Sequence, residues 1–173
     1  MSGFNEIKGE HTIQSDLAAT NPNFSKGPEY RLNCGNCVAA YEMRRRGFDV
    51  EAAPRVNMPV GEWKTMFDGF ASKRAYFLGA DDGERIAAMI QDIESWGEGA
   101  RGTIYGGWKG TNDAHFFSVE VSNSKAVFVD PQDPRRDASS FLGRMAMLSI
   151  RYGRLDNLEP SANVKQSCMN RRT

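Results

Sequence analysis

Asn33-Cys34-Gly35-Asn36-Cys37-Val38-Ala39-Ala40-Tyr41-Glu42 decides how the rest of the chain is read: a turn-like start with two cysteines runs into a helical pattern that Gly47 ends. Cys34, Cys37, Val38 and Tyr41 recur at i, i+3, i+4 and i+7, which is one stripe of a helix, with Glu42 and Arg44-Arg45-Arg46 largely off it. A cysteine in the first turn of a helix lies at the positive end of the helix dipole beside backbone N–H groups, and both favour the thiolate. A nucleophile so placed needs a histidine to carry the proton and an acceptor to orient that ring. The chain offers two histidines, His11 and His115.

Outward from this helix the N-terminal residues 1–30 are polar, broken at Asn21-Pro22 and Gly27-Pro28, and predict an arm with one helical turn around Ser15-Asp16-Leu17. His11 lies there without an acidic or cysteine neighbour at ligand spacing and reads as a surface side chain. Beyond Gly47, the stretch Phe48–Ala52 reads as extended and Pro54 ends it. A helix is expected from Val60 to Phe70, with Trp63, Met66, Phe67 and Phe70 on one face, and another from Asp81-Asp82, carrying Ile86, Met89, Ile90 and Ile93 as far as Gly97. The period then changes to alternation. Thr103–Trp108, His115–Val121, Ala126–Asp130 and Met147–Tyr152 predict four strands, with Asn123-Ser124 a tight turn. Helices first and strands afterwards give an α+β class, N-terminal helices packed on a C-terminal antiparallel sheet. The expected organisation is an arm (1–30), a catalytic domain (31–156) and a polar tail (157–173).

The composition fits an ordinary globular protein of 173 residues, 40 % hydrophobic and 25 % charged. Lys+Arg and Asp+Glu both number 22, so no overall field attracts a polyanion and nucleic acid is not the expected partner. Arg44-Arg45-Arg46, bracketed by Glu42 and Asp49, reads as local ion pairing at a helix C-terminus. Three cysteines, two of them in Cys-x-x-Cys, read as reduced thiols rather than a disulfide framework. No signal-like or membrane-spanning apolar run is found, so synthesis in the cytoplasm is expected, with a signal-less secretion route or carriage on a phage particle open.

The chemistry converges on the hairpin. A two-residue turn at Asn123-Ser124 pairs Asp130 with Phe117 and makes His115 its diagonal neighbour on the same face; a three-residue turn without a bulge would put the two on opposite faces. That face also carries Val119, Val121, Ala126 and Phe128, an apolar surface for a helix. Thiol, imidazole and carboxylate together are the set of a papain-type cysteine enzyme.

Asn-Cys-x-x-Cys-Val-x-Ala-Tyr-Glu-x-Arg-Arg-Arg-Gly-Phe-Asp-Val-Glu-Ala-x-Pro from Asn33 to Pro54, followed by His115-Phe116-Phe117 and Asp130-Pro131-Gln132, resembles the papain-fold toxin family of predicted glutamine deamidases. Such domains occur in bacterial polymorphic toxins, secreted effectors and prophage-associated proteins. The resemblance implies a papain-like cysteine-hydrolase fold and a Cys-His-Asp triad acting on an amide. Its expected partners are a target protein and a cognate immunity protein.

Two cysteines compete for the nucleophile. Cys34-Gly35-Asn36-Cys37-Val38-Ala39 is similar to the Cys-Gly-Ser-Cys-Trp-Ala of papain, whose second cysteine reacts, which argues for Cys37. Cys34 sits nearer the helix end, while Cys37 lies deeper on the apolar stripe where burial raises a thiol's pKa, and this favours Cys34. Asn33 and Gln132 are candidate oxyanion donors beside the first-turn N–H groups. The expected reaction is therefore deamidation of a protein glutamine by Cys34, His115 and Asp130, without a metal or cofactor. Proteolysis and transglutamination are alternatives on the same residues. Other readings are a thioredoxin-like dithiol, a zinc site using Cys168 with His11 or His115, and a non-catalytic component of a phage or secretion particle.

Overall fold

The computed structural model describes residues 1, 3–55 and 64–172. In chain order its elements are α1 (Ile13–Thr20), α2 (Cys34–Arg45), β1 (Val50–Ala52), β2 (Lys73–Arg74), α3 (Asp82–Glu94), β3 (Arg101–Gly107), β4 (Ala114–Ser122), β5 (Lys125–Val129), β6 (Arg151–Arg154) and β7 (Cys168–Asn170). They form two compact units: Met1–Gly69 with Asp130–Arg136 and Leu158–Thr173, and Phe70–Val129 with Asp137–Asn157. Helices and antiparallel sheets together make an α+β protein. Among the described residues no helix is long and apolar enough to cross a membrane.

The first unit is built on α2. Its end follows from Gly47, whose φ of 98° suits glycine: Gly47 N–H bonds Arg44 C=O and Phe48 N–H bonds Met43 C=O, the Schellman pattern. The single apolar stripe expected of this helix is corrected, because Asn36 through Arg44 are all buried. Glu42 and Arg44 can be buried because they are paired. Arg46 Nε lies 2.8 Å from Glu42, and Arg44 reaches Asp49 at 2.9 Å. A third carboxylate comes from α1. Asp16, wholly buried, takes Arg44 Nε at 3.2 Å on one oxygen, and Arg45 at 2.9 Å and His11 at 2.6 Å on the other.

His11 therefore has an acidic partner in space that its sequence neighbours did not reveal. The arm is also more ordered than a single turn, since Thr12 and Ser15 cap α1 reciprocally and extend it to eight residues. The tail supplies β7, which pairs antiparallel with β1 from Val50↔Asn170 to Ala52↔Cys168. The helix expected over Val60–Phe70 is not formed where it is described. Residues 60–63, with Trp63, lie outside the described residues, and 64–70 contain no α-helix. Here the tail overrides local periodicity: Phe67 bridges Pro160, and Ser161 N–H bonds Met66 C=O.

The second unit is a five-stranded antiparallel sheet in the order β2-β6-β3-β4-β5. Ile104, Phe117, Val119, Val121 and Tyr152 form its apolar face, onto which α3 brings Met89 and Ile93. Asp81 caps α3 by accepting from Glu84 N–H at 2.9 Å, as its acidic start suggested. The β4–β5 hairpin has the two-residue turn, with φ of 52° at Asn123 and 64° at Ser124, and its register runs from Ser122↔Lys125 to Ser118↔Val129. The strand expected over Met147–Tyr152 is shifted: Met147–Ser149 is a 3-10 turn and the strand is Arg151–Arg154. Ser149 makes the turn by donating its hydroxyl to Ala146 C=O at 2.6 Å.

Candidate active site

The first unit carries all the candidate residues except His115. Asn33 is the N-cap of α2 and Cys34 its first helical residue. Cys34 is partly exposed and Cys37, one turn on, is wholly buried. Burial pushes the Cys37 thiol well above its ordinary value, and the neighbouring acidic groups Cys34, Asp130 and Cys168 push it further by repulsion of a second negative charge. The Cys37 S–H donates to Asn33 Oδ1 at 3.3 Å. At neutral pH Cys37 is thus a protonated side chain with a structural partner. Cys168 is likewise buried and pushed up.

The amides around the helix start form one buried network. Asn33 Nδ2 donates to Asn21 Oδ1 at 3.2 Å and to Ala53 C=O at 3.1 Å, so both its hydrogens serve the fold. Its oxygen accepts from Gln132 Nε2 at 3.3 Å as well as from Cys37. Asn36 donates to Ala53 and Pro54 carbonyls, tying the exit of β1 to the first turn of α2. Asp130 is 1 % exposed; its Oδ1 accepts from Gln132 N–H at 3.2 Å, and Arg136 Nη1 lies 3.8 Å from Oδ2. This is an Asx-type turn after a strand, the bland role that an Asp-Pro suggests, occurring here on a buried carboxylate.

In the second unit, β4 places His115 opposite Gly106 of β3, whose missing side chain leaves room that Met145 fills. The imidazole is 4 % exposed and set among aromatic rings. Trp108 stacks on it at 5.8 Å between centroids and 21° between planes, Phe117 at 6.4 Å and 12°, and Phe141 meets it edge-on at 5.6 Å. Arg144 covers both Trp108 and Phe141, at 5.1 and 5.4 Å from their centroids. The ring plane of His115 is thereby fixed by packing.

A partly exposed thiol at a helix start, a clamped imidazole and a buried carboxylate are components suited to acyl transfer through a covalent intermediate. The family model of papain fold toxin 1, glutamine deamidase, matches residues 32–134, more than half of the chain. The chain belongs to that family. No curated protein and no solved structure matches it. The span matched to the papain fold toxin 1 family holds Asn33, Cys34, Cys37, His115, Asp130 and Gln132. Among the described residues of this family member no group of three or more His, Cys, Asp or Glu side chains is disposed to hold a metal ion. Sequence reasoning missed Asn21, Asn36 and Trp108. Asn21-Pro22 reads as a turn, and nothing local marks the Asn21 amide as buried; Trp108 was read only as the end of a strand.

Proposed function

We propose that the protein is a cysteine-dependent amidohydrolase that deamidates a glutamine side chain of a target protein through Cys34, His115 and Asp130. The observation that carries this reading is the contrast between the two cysteines within a span that belongs to a glutamine deamidase family: Cys37 is buried, protonated and bonded to Asn33, whereas Cys34 is the accessible thiol at the helix start. The Cys34 thiolate attacks the carboxamide carbon. The oxyanion takes up hydrogen bonds from the first-turn backbone and from Gln132, which Asn33 holds through Oδ1. Asn33 thus acts by holding Gln132, because its own two amide hydrogens are already engaged. The His115 imidazolium gives its proton to the departing nitrogen, releasing ammonia and leaving a thioester. Neutral His115 then takes a proton from water, the hydroxide adds to the thioester, and collapse frees glutamate and Cys34. Asp130 orients His115; the two-residue turn at Asn123-Ser124, the turn length on which the pairing of the two residues in the sequence depends, supports that role.

The test is intact-mass analysis and peptide mapping after brief treatment of the native chain with iodoacetamide near neutral pH, joined to an ammonia-release assay on a glutamine-rich protein such as casein. Fast labelling confined to Cys34 and lost in His115→Ala, with ammonia released by the wild type and not by Cys34→Ala, is expected. Equal slow labelling of all three cysteines, or labelling confined to Cys37, overturns the assignment. Peptide-bond cleavage of the casein without ammonia moves the chemistry to proteolysis.

A further inference from the structure

Asn21 ends α1 and lies outside the residues matched to the family. It is 6 % exposed, and both its amide hydrogens are engaged, by Tyr30 C=O at 2.9 Å and Gln132 C=O at 3.0 Å. Its oxygen accepts from Asn33 Nδ2 at 3.2 Å. One side chain therefore joins the arm, the N-cap of the nucleophile's helix and the loop that follows β5. Gln132 is held at three atoms: its N–H by Asp130, its C=O by Asn21 and its side chain by Asn33.

We propose that Asn21 is a positioning residue for the deamidation, setting the Asp130–Gln132 loop in register with the N-terminus of the helix that bears Cys34; this rests on the triad reading above. The residue type follows from the partners. Two carbonyl acceptors and one N–H donor converge on it, and a primary amide is the side chain of that size that serves all three. A carboxylate there faces two carbonyl oxygens with no hydrogen to offer, and an alkyl group leaves both unsatisfied. The hydrogen bonds of Asn21 go to Tyr30, Gln132 and Asn33. Its effect passes through the loop, and a misplacement on the order of 1 Å in such a constellation costs about a hundredfold in rate.

The test uses the full chain and follows the rate of Cys34 alkylation by iodoacetamide against pH, because the inflection reports how well the imidazole and its carboxylate support the thiolate. Asn21→Asp is expected to slow alkylation near neutral pH by about tenfold, equivalent to an inflection about one pH unit higher, with the rate in alkaline solution within about twofold of wild type. A purely structural role predicts something else: loosening of the unit, with Cys37 and Cys168 becoming labelled alongside Cys34. Should Asn21→Asp expose all three cysteines, Asn21→Ser, which keeps one donor, decides the matter. A raised inflection with single-site labelling supports the proposal, and a wild-type profile overturns it. Failure of the triad reading looks different, because there the wild type itself lacks fast Cys34 labelling that depends on His115. A wild type with that reactivity and an Asn21 series indistinguishable from it removes only the role of Asn21.

Discussion

Cys37 and Cys34 are three residues apart in one helix and differ in what surrounds them. The argument for Cys34 was legible in part: position on the stripe separated a deeper thiol from one at the helix end. The partner of Cys37 was not, since nothing in the spacing shows that the N-cap asparagine points its oxygen at the second thiol and its nitrogen at Ala53. Replacing Cys37 by alanine is expected to preserve ammonia release while lowering stability by roughly 1 kcal/mol, the scale of losing a buried, weakly bonded side chain; chemical denaturation together with the assay checks both. Asp16 is the sharper structural case. It neutralises two arginines and meets His11 with no exposed surface, so Asp16→Ala should cost about 3–5 kcal/mol by stranding Arg44, which is itself 4 % exposed. A urea midpoint close to that of wild type would show the Arg44–Asp49 pair to be sufficient. His11 could not be matched with Asp16 from sequence, because the pairing depends on where the capping box starts α1.

At the scale of elements, what the sequence showed best was the β4–β5 hairpin. Two adjacent turn residues between alternating runs fix both its register and its apolar face. Its weak point is also readable: Ser124 holds a φ of 64° that serine adopts at a cost. Ser124→Gly is expected to stabilise the protein by roughly 0.5–1 kcal/mol, seen as a higher urea midpoint with unchanged slope. An unchanged or lower midpoint would mean that the bonds from the turn's N–H groups to Glu98 already offset the strain. In the same unit Tyr152 donates to Asp92 at 2.6 Å, and Lys73 reaches the same oxygen. Burial raises the Asp92 carboxyl, but these two partners outweigh it and hold the group below its usual range. Stability from that carboxylate is present above its unfolded value and is lost as pH falls through the depressed one. Tyr152→Phe should therefore make the acid limb of a Tm-against-pH curve shallower. The α2 stripe and the Val60–Phe70 helix were read less well for one reason: amphipathic period assumes one wet face. In α2 paired charges remove that face, and over 64–70 the tail supplies backbone partners that a helix would have had to displace.

For the molecule as a whole, the α+β order was legible while the interleaving of the chain was not. The tail's β7 is three residues long and polar at one end, too weak a pattern to announce that it completes the sheet begun at β1. The same distant contacts set the alkaline limit. Cys37 and Cys168 are pushed up by burial, and Tyr152 by burial and its bond to Asp92, so the folded chain holds protons that the unfolded chain releases. Stability is whole below the ordinary thiol value of 9.0 and falls above it, by up to ~1.4 kcal/mol per pH unit for each of the two thiols. Denaturation profiles of wild type and Cys168→Ala between neutral and strongly alkaline pH should diverge above that value; parallel profiles would argue against a buried thiol at Cys168. The β1–β7 pairing has one more consequence, for the order in which the protein comes into being. As the chain leaves the ribosome, the helix bearing Cys34 and the strand behind it emerge before β7, so Val50–Ala52 have no ladder until Cys168–Asn170 have been made. A chain stalled in synthesis before Cys168 carries Cys34 but not the strand that closes its unit, so that unit is complete only once translation has passed β7.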